Sequence, residues 1–379
     1  MASRFLITNR QIDHEVILKE SDTNVSVDDL SREKIARKGL EEARLHTRYG
    51  RIREDVDLQG FEGDPNDIIR LYPHRENDDA DFSRSQDLQF GSKAMFSELH
   101  QAMYIESGGD LLIYVHGYNC DLDKAVRNLG LIESQYAKAN SPVRHLLLFT
   151  WPAQGKKLKY RNDMRDTEES GQALARNILK LQVFLETYFE EGGQKPCDRK
   201  IHIMAHSSGA RVLKYAMDYL RNGSHGMAVR SIFHEAILAA ADVDDHEVQT
   251  HHSLGYLCQI SNRLHNYNNK SDLALFISKT TKNAHRRLGH KGVPEFSNLP
   301  SNLVMVDVTG VQEVTNGLDD LVNHWYYYTA PDVVEDILSV LKGEPAVDIV
   351  KRDGSKRREW PGKSHLNLYW LGNKEGDTA

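Results

Sequence analysis

From residue 90 to about residue 341 the chain repeats one pattern, a helical stretch followed by a short apolar run. Residues 111–115 (LLIYV), 145–149 (HLLLF), 200–204 (KIHIM) and 236–240 (AILAA) have apolar residues at consecutive positions. Strands buried on both faces need this, because successive side chains point to opposite sides of a sheet. Between these runs, residues 125–137, 168–190 and 210–220 have helical spacing, as do residues 93–104 before them. Further strands are expected at 264–267 and 303–308, and a last helix at 331–341. Such alternation over about 240 residues predicts a mostly parallel sheet with helices on both faces.

The flanks are harder to read. Residues 1–89 form an N-terminal extension expected to pack on or near the catalytic domain of residues 90–342, and residues 343–379 form a short C-terminal tail. In the extension, residues 5–7 and 68–71 look like strands, residues 29–49 like an exposed helix, and the charged stretch 76–85 like a mobile loop. In the tail, residues 366–371 are apolar enough to dock as an edge strand, whereas Lys351-Arg352 and Lys356-Arg357-Arg358 read as solvated.

Composition excludes several classes. The formal net charge is −7, so the basic footprint of a general nucleic-acid binder is absent. No apolar stretch approaches the ~20 residues of a membrane span, and nothing near Met1 resembles a signal peptide. The three cysteines, Cys120, Cys197 and Cys258, are widely spaced, which fits neither a disulfide framework nor a zinc knuckle. A cytoplasmic location is therefore expected. His246-Glu247 is followed by His251 and His252, five and six residues after His246, so the four-residue spacing of a helical zinc site is missing and a solvated polar helix is expected. Asp244 and Asp245 read as helix caps. Phosphate-binding glycine loops are absent as well.

The segment richest in chemistry is Ala205-His206-Ser207-Ser208-Gly209, where a strand runs directly into a helix. Small residues two positions before and after Ser207 allow a sharp strand-to-helix turn that lifts the serine oxygen above the sheet, close to the helix N-terminus. About 90 residues upstream, Val115-His116-Gly117-Tyr118-Asn119 ends another strand. The backbone amide of Tyr118 could there join that of Ser208 to bind a tetrahedral oxyanion. His116 reads as a structural residue of this loop. A base and an orienting acid should follow in the order Ser, Asp, His. His324 lies between the strand at 303–308 and the last helix, and is expected to meet Ser207. Asp272, just past the strand at 264–267, is the preferred acid, and Asp242, at the end of the strand at 236–240, is its rival. His116, Gly117, Trp151, His206 and Trp325 are candidate substrate-binding residues. The aromatic run 325–328 could line an acyl pocket or pack the last helix. The interval from Asp242 to Asn262 is too short for a large helical cap.

These motifs carry a family resemblance. The chain resembles bacterial α/β-hydrolase proteins long catalogued as a domain of unknown function, related to lipases and esterases. The matching marks are Thr8-Asn9-Arg10, Gly91-Ser92 with Phe96, Val115-His116-Gly117-Tyr118-Asn119, Trp151-Pro152 with Gly155, Tyr160 and Asp163. They continue through the Ser207 turn, Ala240-Ala241-Asp242, Asp272-Leu273-Ala274-Leu275 with Ser278, and His324 with Tyr326. Two positions depart from the family pattern, Ser208 in place of Met and Ala153 in place of Ser after Trp-Pro. The resemblance implies an α/β-hydrolase fold, a Ser207–Asp272–His324 triad and an esterase-like activity on a small-molecule carboxylic ester, with no cofactor or metal. A catalytically silent scaffold on this fold, or a hydrolase of amides, thioesters or lactones, is the alternative. The sequence leaves the oligomeric state open.

Overall fold

The computed structural model describes residues 2–19, 32–37, 46–75, 90–106, 108–153, 160–192, 199–223, 229–282, 285–311, 313, 322–349, 357–359 and 367–371. Its frame is an eleven-stranded sheet. In chain order the strands are β1 (Ser3–Thr8), β2 (Arg48–Ile52), β3 (Ile69–Leu71), β4 (Asp110–Val115), β5 (Val143–Thr150), β6 (Ile201–His206), β7 (Phe233–Ala239), β8 (Ser261–Asn268), β9 (Leu303–Asp307), β10 (Arg358–Glu359) and β11 (Leu368–Trp370). Across the sheet they run β10-β11-β9-β8-β7-β6-β4-β5-β1-β2-β3. The eight strands from β11 to β1 are parallel, and β2, β3 and β10 are joined by antiparallel pairing at the two edges. The fold is therefore α/β with a mostly parallel sheet, as the alternation requires.

Burial explains why these segments are strands. All six residues of β4 and all six of β6 are buried, which suits continuous apolar runs in the middle of a covered sheet. The main helices are α1 (Gly91–Gln101), α2 (Leu122–Tyr136), α3 (Tyr160–Gly192), α4 (Gly209–Gly223), α5 (Leu273–Lys282) and α6 (Pro331–Lys342). Asp121 caps α2 by accepting the Lys124 N–H at 2.8 Å. Pro331 opens α6, and Gly343 closes it in a left-handed conformation. Between Asp242 and Asn262 there is one short helix, Ser253–Leu257, and no large cap.

The N-terminal segment is woven into the sheet. β1 lies between β5 and β2, with Phe5 beside Leu147 on one side and Arg51 on the other. The helix expected over residues 29–49 is not seen in its described parts, where Lys34–Ile35 and β2 are strands. Pairing overrides the local pattern there: Ile7 takes Tyr49 as its ladder partner, and the buried Arg48 guanidinium is held by Glu33 at 2.6 and 2.7 Å. The loop expected at 76–85 lies outside the described residues. In the tail, Leu368–Trp370 does add a strand beside β9. Arg357 is not solvated: it is fully buried, and its Nε donates to Asp336 Oδ1 at 2.6 Å. Residues 351–356 lie outside the described residues.

Charges are also buried at the N-terminal ends of the central strands. Glu235 on β7 accepts from Arg263 Nη2 at 2.8 Å, with the rings of His234 and His265 at 3.0 and 3.3 Å. Burial alone would raise its pKa, but these three partners hold the carboxyl well below its usual range. Asp110 holds the Lys200 N–H at 3.0 Å and lies 3.3 Å from His202.

The Arg357–Asp336 pair joins the tail to α6 in a buried position. Removing one member of such a pair strands a buried charge, at a cost of about 3–5 kcal/mol. Arg357→Ala is expected to lower stability by that amount in chemical denaturation, a far larger loss than truncating a solvated arginine would cause.

Candidate functional site

The site lies at the C-terminal ends of the central parallel strands, where open α/β sheets bind their ligands. β6 ends at His206, and α4 begins at Gly209. Ser207 between them has φ 53°, in the left-handed region, a costly conformation for a residue with a side chain. Two of its neighbours must be glycine. A Cβ on Gly209 would lie 2.5 Å from the Val115 carbonyl oxygen and 2.7 Å from that of His116. A Cβ on Gly117 would lie 2.9 Å from Ser207 Cβ and 3.0 Å from His206 Nδ1. The Ser207 turn and the loop after β4 are thus in direct contact. Ala239 O accepts the Ser207 N–H at 3.0 Å, and Ser207 O accepts the Asp242 N–H at 3.1 Å, so β7 supports the turn from the other side.

Backbone strain gathers around this point. Four of the seven non-glycine residues with positive φ among the described residues are Asn119, Ser207, Ala240 and Asn323. They follow β4, β6 and β7 and precede His324. Asparagine tolerates this region; Ser207 and Ala240 are held in it by their surroundings.

His324 is buried, and its Nδ1 lies 2.6 Å from Asp272 Oδ2. The other oxygen of Asp272 caps α5, accepting the Leu275 N–H at 2.9 Å. Burial lowers the His324 pKa, but the Asp272 carboxylate outweighs it, and the net shift is upward. The ring of His206, next to Ser207, lies 4.7 Å from the ring of His324, and its Nε2 is 3.4 Å from His324 O. Burial, with His324 next in effect, pushes His206 well below the ordinary imidazole range, so it is neutral. Asp242, the rival acid, is engaged elsewhere. Ser278 Oγ donates to its Oδ1 at 2.8 Å, Arg287 Nε lies 3.2 Å from the same oxygen, and Arg211 Nη2 lies 3.6 Å from Oδ2.

The loop after β4 is stiffened from below. His116 stacks on Trp151 at 5.5 Å with nearly parallel rings, and both are fully buried. His116 Nε2 accepts the Trp151 backbone N–H at 3.2 Å, and Trp151 Nε1 donates to His116 O at 3.0 Å. That leaves Nδ1 to donate to Gly117 O at 2.9 Å. Burial, with Arg10 next, lowers His116 to about 3, so it stays neutral and shapes the loop. These two candidate substrate-binding residues are therefore below the surface, where they brace Gly117. Trp325 is partly exposed. The N-terminal segment contributes as well: Arg10 donates to Thr150 Oγ1 at 2.9 Å and Cys120 O at 2.7 Å, tying Thr8-Asn9-Arg10 to this loop.

The aromatic run divides in two. Tyr326 and Tyr327 are fully buried. The Tyr326 hydroxyl accepts the Ala240 N–H at 2.8 Å and donates to Tyr267 O at 2.8 Å. It thereby joins the ends of β7 and β8 to the segment bearing His324. Behind it, Tyr327 O accepts from the Tyr136 hydroxyl, and the Tyr114 and Tyr327 hydroxyls lie 2.9 Å apart. Thr329 Oγ1 donates to Glu313 Oε2 at 2.8 Å. Sequence reasoning marked Tyr326 and Arg10 only as parts of a motif, and it missed Glu313 and Thr150; no local signal points to contacts this distant in sequence.

Elsewhere, Asp244, His246 and Glu247 bring ligand atoms within 4.8 Å of one another. Asp244 is engaged by Arg287 at 2.5 Å and Glu247 lies 3.7 Å from Lys214, so the group belongs to an ion-paired surface. The helix expected there is replaced by turns, and Asp244 and Asp245 pair with Arg287 and Arg286 rather than capping a helix. Among the described residues, no helix is long and apolar enough to cross a membrane.

Removing the Tyr326 hydroxyl would leave a buried N–H and a buried carbonyl each short of a partner, at about 1–3 kcal/mol. Tyr326→Phe is expected to lose stability on that scale in urea unfolding, although the substitution deletes one oxygen atom.

Comparison with known proteins gives a weak structural likeness and a family. One similar solved structure is the phospholipase PlaB from Legionella pneumophila in complex with thio-NAD, at 15% identity over 57% of this chain and 41% of that chain, with a TM-score of 0.23. A likeness that weak says nothing about activity. No curated protein matches the chain. The sequence family described as "Alpha/beta hydrolase of unknown function (DUF900)" matches residues 92–341, about two thirds of the chain, and the protein belongs to that family.

Proposed function

We propose that the protein is a serine hydrolase of carboxylic esters, with Ser207 as nucleophile, His324 as base and Asp272 as the acid that orients it. The observation carrying this reading is the combination of a serine in a left-handed strand-to-helix turn with a histidine–aspartate pair, His324 Nδ1 lying 2.6 Å from Asp272 Oδ2 and the His324 ring 4.7 Å from that of His206, the residue before the serine. Serine is a poor nucleophile at its free pKa and needs such a base.

In this mechanism Ser207 Oγ attacks the ester carbonyl carbon while its proton passes to His324 Nε2. The carbonyl oxygen becomes an anion, for which the backbone N–H groups of Tyr118 and Ser208 are the donors we assign; each such donor is worth roughly 10²–10³ in rate. When the intermediate collapses, the carbon–oxygen bond to the alcohol breaks and His324 returns the proton to the departing oxygen. Water then attacks the acyl-enzyme with the same histidine as base, releasing the acid and restoring Ser207. Throughout, Asp272 fixes the proton of His324 on Nδ1 and stabilises the imidazolium. The neutral His206 puts no charge of its own beside the serine, and the stacked His116 and Trp151 hold the Gly117 loop in shape. The close approach of Gly117 to Ser207 supports this choice of oxyanion loop, because Tyr118 is the next residue in the chain.

A fluorophosphonate probe is expected to label the protein at Ser207 and nowhere else, as mapped by peptide mass spectrometry, and Ser207→Ala should abolish both labelling and hydrolysis of short-chain aryl esters. Modification at another serine, or turnover surviving in the mutant, would falsify the assignment.

The two carboxylates can be told apart. Asp272→Asn should lower kcat by about 10⁴, whereas Asp242→Asn should act chiefly through stability. Because His324 must be neutral to accept a proton, activity should rise as pH passes through its raised pKa. Removing the Asp272 charge should move the midpoint of the pH–rate profile downward. An unmoved midpoint would place the orienting acid elsewhere.

A further inference from the structure

Arg10 is fully buried although it belongs to the N-terminal segment, outside residues 92–341 that match the family. A buried charge is costly, so what holds it matters. Its backbone N–H donates to Thr8 Oγ1 at 3.1 Å, at the end of β1, where Thr8 stands beside Thr150 in the parallel ladder. The side chain then reaches two places. Nε donates to Thr150 Oγ1 at 2.9 Å, and that hydroxyl lies 3.1 Å from His116 Nε2. Nη2 donates to Cys120 O at 2.7 Å, the short length of a charge-assisted bond.

These contacts fall at the two ends of one short loop. His116 and Gly117 open it, with Gly117 close against the Ser207 turn, and Cys120 closes it, bridging to Ala153 beyond β5. Asp121 follows as the cap of α2. Tyr118 and Asn119 are therefore the two residues between anchored ends, and Asn119 takes a φ of 51° to complete the connection. On so short a span a backbone donor is aimed by its ends. The charge of Arg10 also has a useful sign. After burial itself, it is the next influence keeping His116 neutral, so its field reaches the residue before Gly117, and a positive field beside a developing oxyanion is favourable. We propose that Arg10 is a positioning residue for the reaction, holding the end of the loop that presents the Tyr118 amide, so that the N-terminal segment is a working part of the site. This role rests on the hydrolase reading given above, with Tyr118 as an oxyanion donor.

The test compares the full-length protein with its Arg10→Gln and Arg10→Lys variants in turnover of a soluble short-chain aryl ester, in urea unfolding, and in affinity for an aryl trifluoromethyl ketone. Addition of a serine oxygen to that ketone leaves an oxyanion where the ester's would form. A misaimed donor is felt only once the carbonyl oxygen becomes an anion. Arg10→Gln is therefore expected to lower kcat by about 10²-fold while KM changes by less than about threefold, and to weaken ketone binding by a factor similar to that in kcat. Arg10→Lys keeps the buried charge, but its compact ammonium cannot span both acceptors, so a loss of roughly tenfold is expected in a protein whose urea midpoint stays near that of the wild type. If Arg10→Gln does not fold, Arg10→Lys decides. Unchanged kcat and ketone affinity in a folded variant overturn the proposal. So does a raised KM with kcat intact, or a fall in kcat that only matches the loss of folded protein, because the arginine would then serve ground-state binding or stability alone. A wild-type protein that neither hydrolyses the ester nor reacts with fluorophosphonate removes the hydrolase reading and this role with it, a result distinct from unaffected variants of an active enzyme.

Discussion

The close approach between the turn after β6 and the loop after β4 sets the geometry of everything around it. With Gly209 against the Val115 and His116 carbonyls and Gly117 against Ser207, the two strand ends fit together only because two side chains are missing. Ser207 sits between them with its backbone in the left-handed region. The strain is offset by the sheet below, where β4, β6 and β7 are buried almost throughout, by the Ser207 N–H donated to Ala239 O and by the Asp242 N–H that Ser207 O accepts. A rigid, strained turn suits a nucleophile because its oxygen is already raised above the sheet before a substrate arrives.

The second requirement is that His324, more than a hundred residues downstream, stay in register with that turn. Tyr326 achieves this with one oxygen shared between the ends of β7 and β8. Asp272 acts similarly, using one carboxylate oxygen for His324 and the other for the start of α5. Each side chain serves the site and an element of the fold at once, so the position of the proposed base is fixed by secondary structure rather than by loop conformation.

Much of this was legible in the sequence where the signal is local. Consecutive apolar residues gave the central strands to within a few positions, and Ala205 with Gly209 around Ser207 marked the turn. Asp272 was preferred to Asp242 although each follows a strand, and the contacts that bear on the choice, His324 with Asp272 and Arg287 and Ser278 with Asp242, are invisible in a local window. Residues 29–49 misled because helical spacing over a short polar window carries little weight against a ladder partner like Ile7. Arg357 looked solvated because nothing near it in sequence announces Asp336. In both cases the deciding contact lies outside the window that a pattern can see.

The placement of β1 has a consequence for biosynthesis. Arg4 pairs with Leu146 on β5, its parallel neighbour, so the Phe5-Leu6-Ile7 segment emerges from the ribosome long before the strand that will cover it. At translation speeds of about 5–20 residues per second, this greasy segment stays uncovered for on the order of ten seconds, with at most its antiparallel neighbour β2, itself paired with β3, for shelter. Chaperone capture, or clumping when capture fails, should therefore be decided during synthesis of the first half of the protein.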